Sequence, residues 1–144
     1  TNVARISVIG LRDTPGIAFK LFNKLAQYKI NVDIILQSVG RDGTKDITFT
    51  VPLDQEKDAV EAIESISGIL DFNQIVTDTS CAKISIVGAG MESHPGIASK
   101  MFEALYDAGI NIQMISTSEI KASVLIEEKY ADQAVQAVHD KFIL

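Results

Sequence analysis

The chain has 144 residues, a length that fits one average domain or two small ones. Hydrophobic residues make up 47% and charged residues 22%, which is ordinary for a globular protein with a packed core. The formal net charge of −6 and the pI of about 4.8 argue against binding to nucleic acid or to an anionic membrane, since either partner needs clustered Lys and Arg.

The cellular compartment is indicated by what the sequence lacks. The single cysteine, Cys81, excludes an internal disulfide and fits a reducing compartment. No apolar run approaches the ~18 residues that a membrane-spanning helix needs, and the first residues do not resemble a signal peptide. We therefore expect a cytoplasmic chain.

Two segments of the chain repeat each other. Residues 16–36 and 96–116 share nine of 21 residues without gaps, and residues 5–10 match residues 83–88. This duplication predicts two tandem domains with a boundary near residues 77–82. The predicted domains are residues 1–79 and 80–144.

The first domain is predicted to contain four strands and two helices in the order strand, helix, strand, strand, helix, strand. The strands are expected over residues 4–10, 32–39, 46–51 and 73–77. Pro15 is placed in the first turn of the first helix, where its missing N–H has no intrahelical partner to lose. The second helix is expected over residues 55–66, and both helices carry apolar residues at helical spacing.

The second domain repeats this order with one strand fewer. Its strands are expected over residues 83–88, 112–118 and 122–126, and its helices from Pro95 and over residues 130–141. The pattern βαββαβ predicts an α+β fold of two ferredoxin-like units, each an antiparallel sheet with helices on one face. We expect the missing last strand to come from a segment before Thr1 in a longer parent protein, or another subunit to cover the open edge.

The junction between the first strand and the first helix is the main candidate for a binding site. It reads Asp13-Thr-Pro-Gly16 in the first copy and Ser93-His-Pro-Gly96 in the second. Exposed N–H groups at a helix start can hold a carboxylate, and the Asp13 carboxylate could pair with an ammonium group. A free amino acid carries both charges. The alternative is that Asp13 and Ser93 are only helix N-caps.

The start of the second strand is the other candidate part of the binding site. Asn31 and Asn111 lie at the turn from helix to strand, where Asn can also end the helix in the left-handed conformation. Gln37 and the polar run of residues 116–119 are predicted to lie in a central strand. Polar groups there need partners, which a ligand or a facing subunit could supply.

Other motifs do not indicate chemistry. His94 and His139 have no clustered donors that would suggest a metal site, and Cys81 is placed in the linker between the domains. Gly88-Ala-Gly90 starts like a dinucleotide fingerprint, but Ser93 stands where the third Gly belongs. No catalytic residue set can be assembled from the sequence.

The arrangement of these motifs resembles the paired ACT domains of aspartate kinases. The segments Gly88-Ala-Gly-Met-Glu-Ser-His-Pro-Gly96 and Ile115-Ser-Thr-Ser-Glu-Ile120 are similar to that family specifically, in its lysine/threonine-regulated class. The resemblance implies an allosteric amino-acid sensor that dimerises through ACT–ACT interfaces. It also implies a partner catalytic domain or α subunit, which would use ATP and magnesium; no cofactor is expected in this chain.

The resemblance also implies where the effectors bind. In the first domain the implied contacts are Asp13, Gly16, Ile17, Ala18, Asn31, Val32, Asp33 and Gln37. In the second domain they are His94, Pro95, Gly96, Asn111, Ile112, Thr117, Ser118 and Glu119. Because Ser93 replaces Asp13 and Gln113 replaces Asp33, the two sites are expected to differ in ligand, with threonine favoured at the first and lysine at the second.

Three alternatives remain at this level. The chain could belong to the sensor of a different ACT-containing enzyme that binds another amino acid, such as Phe or Ser. It could be an assembly module that binds no ligand. It could also be a small ferredoxin-like enzyme of the acylphosphatase kind, for which Arg12 would be the anion-binding residue.

Overall fold

The computed structural model of the chain describes residues 2–40, 42–87, 96–118 and 120–142. By the contacts within it, the chain divides into two compact units. The first unit is Val3–Thr79, and the second is Ser80–Leu144 together with Thr1–Asn2. The predicted fold class is confirmed, since both units are built from an antiparallel sheet and helices in the predicted order.

The first unit contains four strands and three helices. They are, in chain order, β1 (Asn2–Arg12), α1 (Ile17–Gln27), β2 (Ile35–Val39), β3 (Thr44–Pro52), α2 (Glu56–Glu64), α3 (Ser67–Leu70) and the beginning of β4 (Gln74–Val87). The strand order across the sheet is β2-β3-β1-β4. Helix α3 was not predicted. The sequence shows no break between the predicted helix of residues 55–66 and α3, so a separate short helix was not expected.

Apolar and polar residues alternate along the strands of the first sheet, so that one face is apolar and is covered by the helices. Ala4, Ile6 and Val8 of β1 are fully buried and pack in one cluster with Leu21 of α1 and Ile63 of α2. The opposite face of the sheet is polar. There the hydroxyl oxygens of Ser7 and Thr48 lie 2.8 Å apart, and Arg5 pairs with Asp78 at 3.2 Å.

The second unit repeats this plan. Its elements are the end of β4, α4 (Gly96–Asp107), β5 (Met114–Thr117), β6 (Lys121–Glu127) and α5 (Ala131–Phe142), with the strand order β4-β6-β5. Its core joins Ile84, Met101 and Val124, and Ser85 and Ser123 repeat the hydroxyl pair at 2.6 Å. No strand follows α5 within the described residues, which extend to 142.

An ion pair between the helices of the second unit carries a pKa shift. Lys141 of α5 lies 2.5 Å from the Glu103 carboxylate of α4. This hydrogen-bonded contact lowers the pKa of Glu103 and raises the pKa of Lys141. Both groups face solvent, so the pair contributes little to folding.

The predicted linker around Cys81 is wrong. A single strand, β4, runs from Gln74 to Val87 through the predicted boundary at residues 77–82. Cys81 is fully buried in it, opposite Glu127 of β6, and its thiol lies 3.5 Å from the Gln113 side-chain oxygen. The linker was placed where the two copies of the repeat meet, yet residues 77–82 belong to a strand.

Two predictions about helix ends are also wrong. Pro15 lies in a turn before α1, because Gly16 adopts a left-handed conformation (φ 89°) and the helix begins only at Ile17. At the other end of α1, Lys29 takes the left-handed conformation (φ 60°), and Gly109 does so after α4. Asn31 therefore does not end the helix; it already lies on the path into β2.

A bulge in β1 places a glycine where no side chain fits. Gly10 has φ 81°, and the register between β1 and β3 shifts between Val8 and Leu11. A Cβ at Gly10 would lie 2.4 Å from the Asn73 side chain. The N–H of Gly10 donates to the Asp46 carboxylate at 3.0 Å, which holds the bulge in place.

Gly10→Ala is expected to lower the free energy of unfolding by about 1–3 kcal/mol, because it adds left-handed strain and a steric clash. Gly68→Ala is the matched control, since a Cβ there meets nothing within 4 Å and Gly68 lies in α3, where alanine is favoured. Urea unfolding of both variants measures the difference. Equal stability of Gly10→Ala and the unchanged protein would contradict the bulge geometry.

Candidate functional site

The loop between β1 and α1 is fixed to the turn between β2 and β3. The N–H of Asp13 donates to the carbonyl oxygen of Gly43 at 2.8 Å. Gly16, not Asp13, occupies the N-cap position of α1, and no side chain caps that helix. The alternative in which Asp13 is an N-cap is therefore wrong, and its carboxylate, about half exposed, is available for another role.

Lys45 of β3 is the ion-pair partner of Asp13. Its ammonium nitrogen lies 3.6 Å from Asp13 Oδ1, and its side chain is only 10% exposed. Lys45 was not among the predicted site residues. A signal was present, because Lys45 alternates with the core residues Ile47 and Phe49 and so had to point to the helix-covered face of the sheet.

The start of α1 supplies backbone donors beside this pair. The Ile17 side chain is buried in the core and Ala18 packs against it, so these two predicted contacts can act only through their backbone. The Ile17 N–H already donates a long hydrogen bond to the Thr14 carbonyl oxygen at 3.4 Å. The first turn of α1 contains no acidic side chain. Its N-terminal N–H groups and the helix dipole are thus not neutralised by a neighbouring carboxylate within the helix.

The segment before β2 forms irregular contacts with β3 instead of a regular strand. Strand β2 begins at Ile35, not at the predicted residue 32, while the Asp33 N–H donates to the Thr50 carbonyl at 3.0 Å. The Asn31 N–H donates to the Gln55 side-chain oxygen at 2.8 Å. Val32 packs against the same core as Ile17. Asn31 and Asp33 are exposed next to it.

Gln37 is exposed and lies on the helix-covered face of the sheet, opposite Ile47. The prediction that it lies in a central strand is wrong, because β2 is the edge strand of the first sheet, paired with β3 only. Gln37 and Lys45 project to the same face, since Val39 pairs with Lys45 two residues along. The polar side chain of Gln37 is therefore solvated at an edge and available to a partner.

The second unit shows a weaker version of this arrangement. Gly96 begins α4, Asn111 is exposed, and Ile112 packs against the core as Val32 does in the first unit. Strand β5 is again an edge strand and not a central one. The predicted contacts His94, Pro95 and Glu119 lie outside the described residues.

Thr117 and Ser118 differ in their availability. Thr117 ends β5 and is exposed. Ser118 is used within the turn that follows: its N–H donates to the Lys121 carbonyl at 2.7 Å, and its hydroxyl oxygen accepts a long contact from the Ile120 N–H. This contact explains the polar run in part, because a turn and not a ligand satisfies Ser118.

Other chemistries find little support in the described chain. Arg12, the anion-binding candidate of the enzyme alternative, forms a two-pronged contact with the Asp71 carboxylate at 2.8 and 3.1 Å. Within residues 2–40, 42–87, 96–118 and 120–142, no three His, Cys, Asp or Glu side chains are grouped closely enough for a metal ion. Nor does any helix of these residues have the length and apolarity to cross a membrane.

Comparison with known proteins identifies the family. The family model described as the ACT domain matches residues 6–66 and 84–142. Aspartate kinase Ask_LysC of Stutzerimonas stutzeri is 48% identical over 141 residues, which are 98% of this chain and 34% of that protein. The aspartokinase of Helicobacter pylori strain 26695 is 50% identical over 138 residues. The chain thus spans about a third of the length of the curated relatives it matches.

Solved structures of separate regulatory subunits match over nearly their whole length. The regulatory subunit of aspartate kinase from Thermus thermophilus, in its ligand-free form, has a TM-score of 0.91 and 41% identity, with 99% of this chain and 93% of that chain covered. A structure of aspartokinase alpha and beta subunits gives a TM-score of 0.88 and 45% identity, covering 99% and 94%. The chain therefore belongs to the ACT domain family, as a regulatory domain pair of the aspartate kinase type.

Proposed function

We propose that this domain pair senses a free amino acid and transmits its concentration to an aspartate kinase catalytic domain. The observation that carries the proposal is the loop of the first unit. There the half-exposed Asp13 comes four residues before Ile17, the first residue of α1, and the first turn of α1 contains no acidic residue. The Asp13 carboxylate can bind the ammonium group of a free amino acid, and helix N–H groups can bind its carboxylate. Together they suit a zwitterion.

The two sites are proposed to take different effectors. The first unit offers Asp13 and Asp33, where the second has Ser93 and Gln113 in the repeat. The two sites therefore present different charges to an effector. We propose threonine for the first site and lysine for the second.

The catalytic partner is proposed from the relatives. One solved structure that resembles this chain contains aspartokinase alpha and beta subunits, which supports a second, catalytic subunit as the partner of this chain. The phosphorylation of aspartate, with ATP and magnesium, would belong to that partner. An effector shifts its activity only through a difference in affinity between two arrangements, typically ~1–3 kcal/mol of coupling.

Dimerisation is proposed to use the edge of the first sheet. Strand β2 leaves one backbone edge unpaired in the described chain and exposes Ile35, Leu36 and Val39, the last at 89%. A second copy that adds its own β2 would bury these side chains and pair the edge. The two loops of a dimer would then each face a partner surface.

The double substitution Leu36→Lys/Val39→Lys is expected to convert the dimer to a monomer, since it places two charges in the proposed interface. Ile69→Lys is the matched control, because Ile69 is as exposed as Leu36 but lies on α3. Light scattering after size exclusion measures both masses. A dimer that survives the double substitution would contradict this interface.

Thermal unfolding with a panel of free amino acids tests the proposed function. A ligand at 100 times its Kd adds about 2.7 kcal/mol of stability, which raises the unfolding temperature measurably. A selective rise with threonine, lysine or both is expected. A selective rise with another amino acid would indicate a different ACT sensor, and no rise with any amino acid would indicate a module that only assembles subunits.

A further inference from the structure

Lys45 is the one lysine of the described residues that is nearly buried. It lies in β3 on the face that otherwise carries Ile47 and Phe49, both almost fully buried. Placing an ammonium group there costs solvation free energy, which only a partner can offset. That partner is Asp13, at 3.6 Å, whose own carboxylate is about half exposed.

The repeat provides an internal comparison for Asp13. In the second copy Ser93 stands at the position of Asp13. Ile120, the residue before β6, is 55% exposed, whereas Lys45 is nearly buried within β3. The carboxylate of the pair is therefore specific to the first copy of the repeat.

We propose that Lys45 is a positioning residue of the first effector site. The inference rests on the proposed function, in which Asp13 binds the effector ammonium group. The Lys45 ammonium nitrogen lies 3.6 Å from Oδ1 of Asp13, and the Asp13 side chain remains 51% exposed, so a ligand can still reach it. The Asp13 N–H, bonded to Gly43, fixes the same residue from its backbone.

The charge of Lys45 also offsets the charge of Asp13. Without Lys45, the ligand carboxylate would face an uncompensated Asp13, and the free Asp13 side chain would sample more rotamers before binding. The pair therefore favours binding of an effector that carries a carboxylate as well as an ammonium group.

The test measures the threonine dissociation constant of the full chain by calorimetry. Lys45→Met is expected to weaken threonine binding by about tenfold, because the fixed charge next to Asp13 is lost. Lys45→Arg keeps a cation there and is expected to restore binding to within about threefold of the unchanged protein. Lys45→Gln serves as a second neutral variant should Lys45→Met fold poorly.

Arg12→Met is the matched control. It removes a cation next to Asp13 in the sequence, but the Arg12 guanidinium contacts Asp71 and not Asp13. Threonine binding should then change by less than about twofold. Ligand-free melting of each variant shows that the domain pair remains folded, which separates positioning from a general loss of structure.

The outcomes distinguish this inference from the function on which it rests. If the unchanged protein binds threonine and both neutral variants bind it equally well, the role of Lys45 is overturned while the sensor function stands. If Lys45→Arg binds as weakly as Lys45→Met, the charge is not what matters and the inference also falls. If the unchanged protein binds no threonine, the proposed function and this inference fail together.

Discussion

Asp13→Ala is expected to weaken threonine binding by about thirtyfold or more while leaving the fold intact. The carboxylate is the proposed anchor of the effector ammonium, and loss of one partner of a hydrogen-bonded charge pair costs about 2–5 kcal/mol. The substitution does not remove a cap of α1, but it leaves the nearly buried Lys45 without its ion-pair partner, so the ligand-free unfolding temperature is expected to fall as well. The threonine-dependent rise in unfolding temperature measures the loss.

Two further variants sharpen this test. Asp13→Asn keeps the shape of the side chain and removes its charge, so it should weaken binding nearly as much as alanine. Asp54→Ala removes an exposed carboxylate elsewhere on the first unit and should leave binding unchanged. Full threonine binding by Asp13→Ala would show that the loop is only a structural connection between β1 and α1.

Phe49→Ala is expected to be the most destabilising single change in the first unit. Phe49 is fully buried, and its ring meets Phe22 edge to face with centroids 5.7 Å apart. Truncation leaves a cavity between β3 and α1 and should lower the free energy of unfolding by about 3–5 kcal/mol. Urea unfolding, monitored by circular dichroism, measures the change.

Phe19→Ala provides the comparison for that prediction. Phe19 lies on α1 in the same unit but is 70% exposed, so its removal should change the free energy of unfolding by less than about 0.5 kcal/mol. If Phe49→Ala and Phe19→Ala have the same effect, the packing of β3 against α1 is not as described. A smaller urea slope for Phe49→Ala would indicate that only the first unit unfolds.

The order of strands and helices could be predicted because the chain repeats it. Each copy carries a β-branched strand, an amphipathic helix and a second helix at the same spacing. The pattern of each copy therefore supported the assignment of strands and helices in the other. Element ends were less predictable. Gly16 shows why: a glycine after Pro15 suits both a helical first turn and a left-handed turn before the helix, and only the tertiary contacts decide.

The candidate site could be located but not assembled from sequence. Asp13 was recognisable because a D-x-P-G loop recurs as Ser93-His-Pro-Gly96. Lys45 is 32 residues away, and no local pattern links it to Asp13; the link depends on how β1 pairs with β3. The same limit affected Gln37, since its position in an edge strand is a property of sheet order.

Cys81 illustrates a different limit. It was placed in a linker because the duplication suggested a break between the two copies. One continuous strand instead serves both units, so the end of the first repeat is also the start of the second. The amino-acid composition of this segment could not reveal a shared strand. A strand that serves two units needs buried residues only at alternate or isolated positions, so its other positions can be polar.

The central claim, that an amino acid binds at the loop of the first unit, is tested most directly by a heteronuclear NMR titration with threonine. The expected result is a saturable shift of the amide resonances of Gly16, Ile17 and Ala18, with the Asp13→Ala variant showing none. The claim would be contradicted by spectra that do not change at millimolar threonine, or by shifts that leave these three amides unmoved.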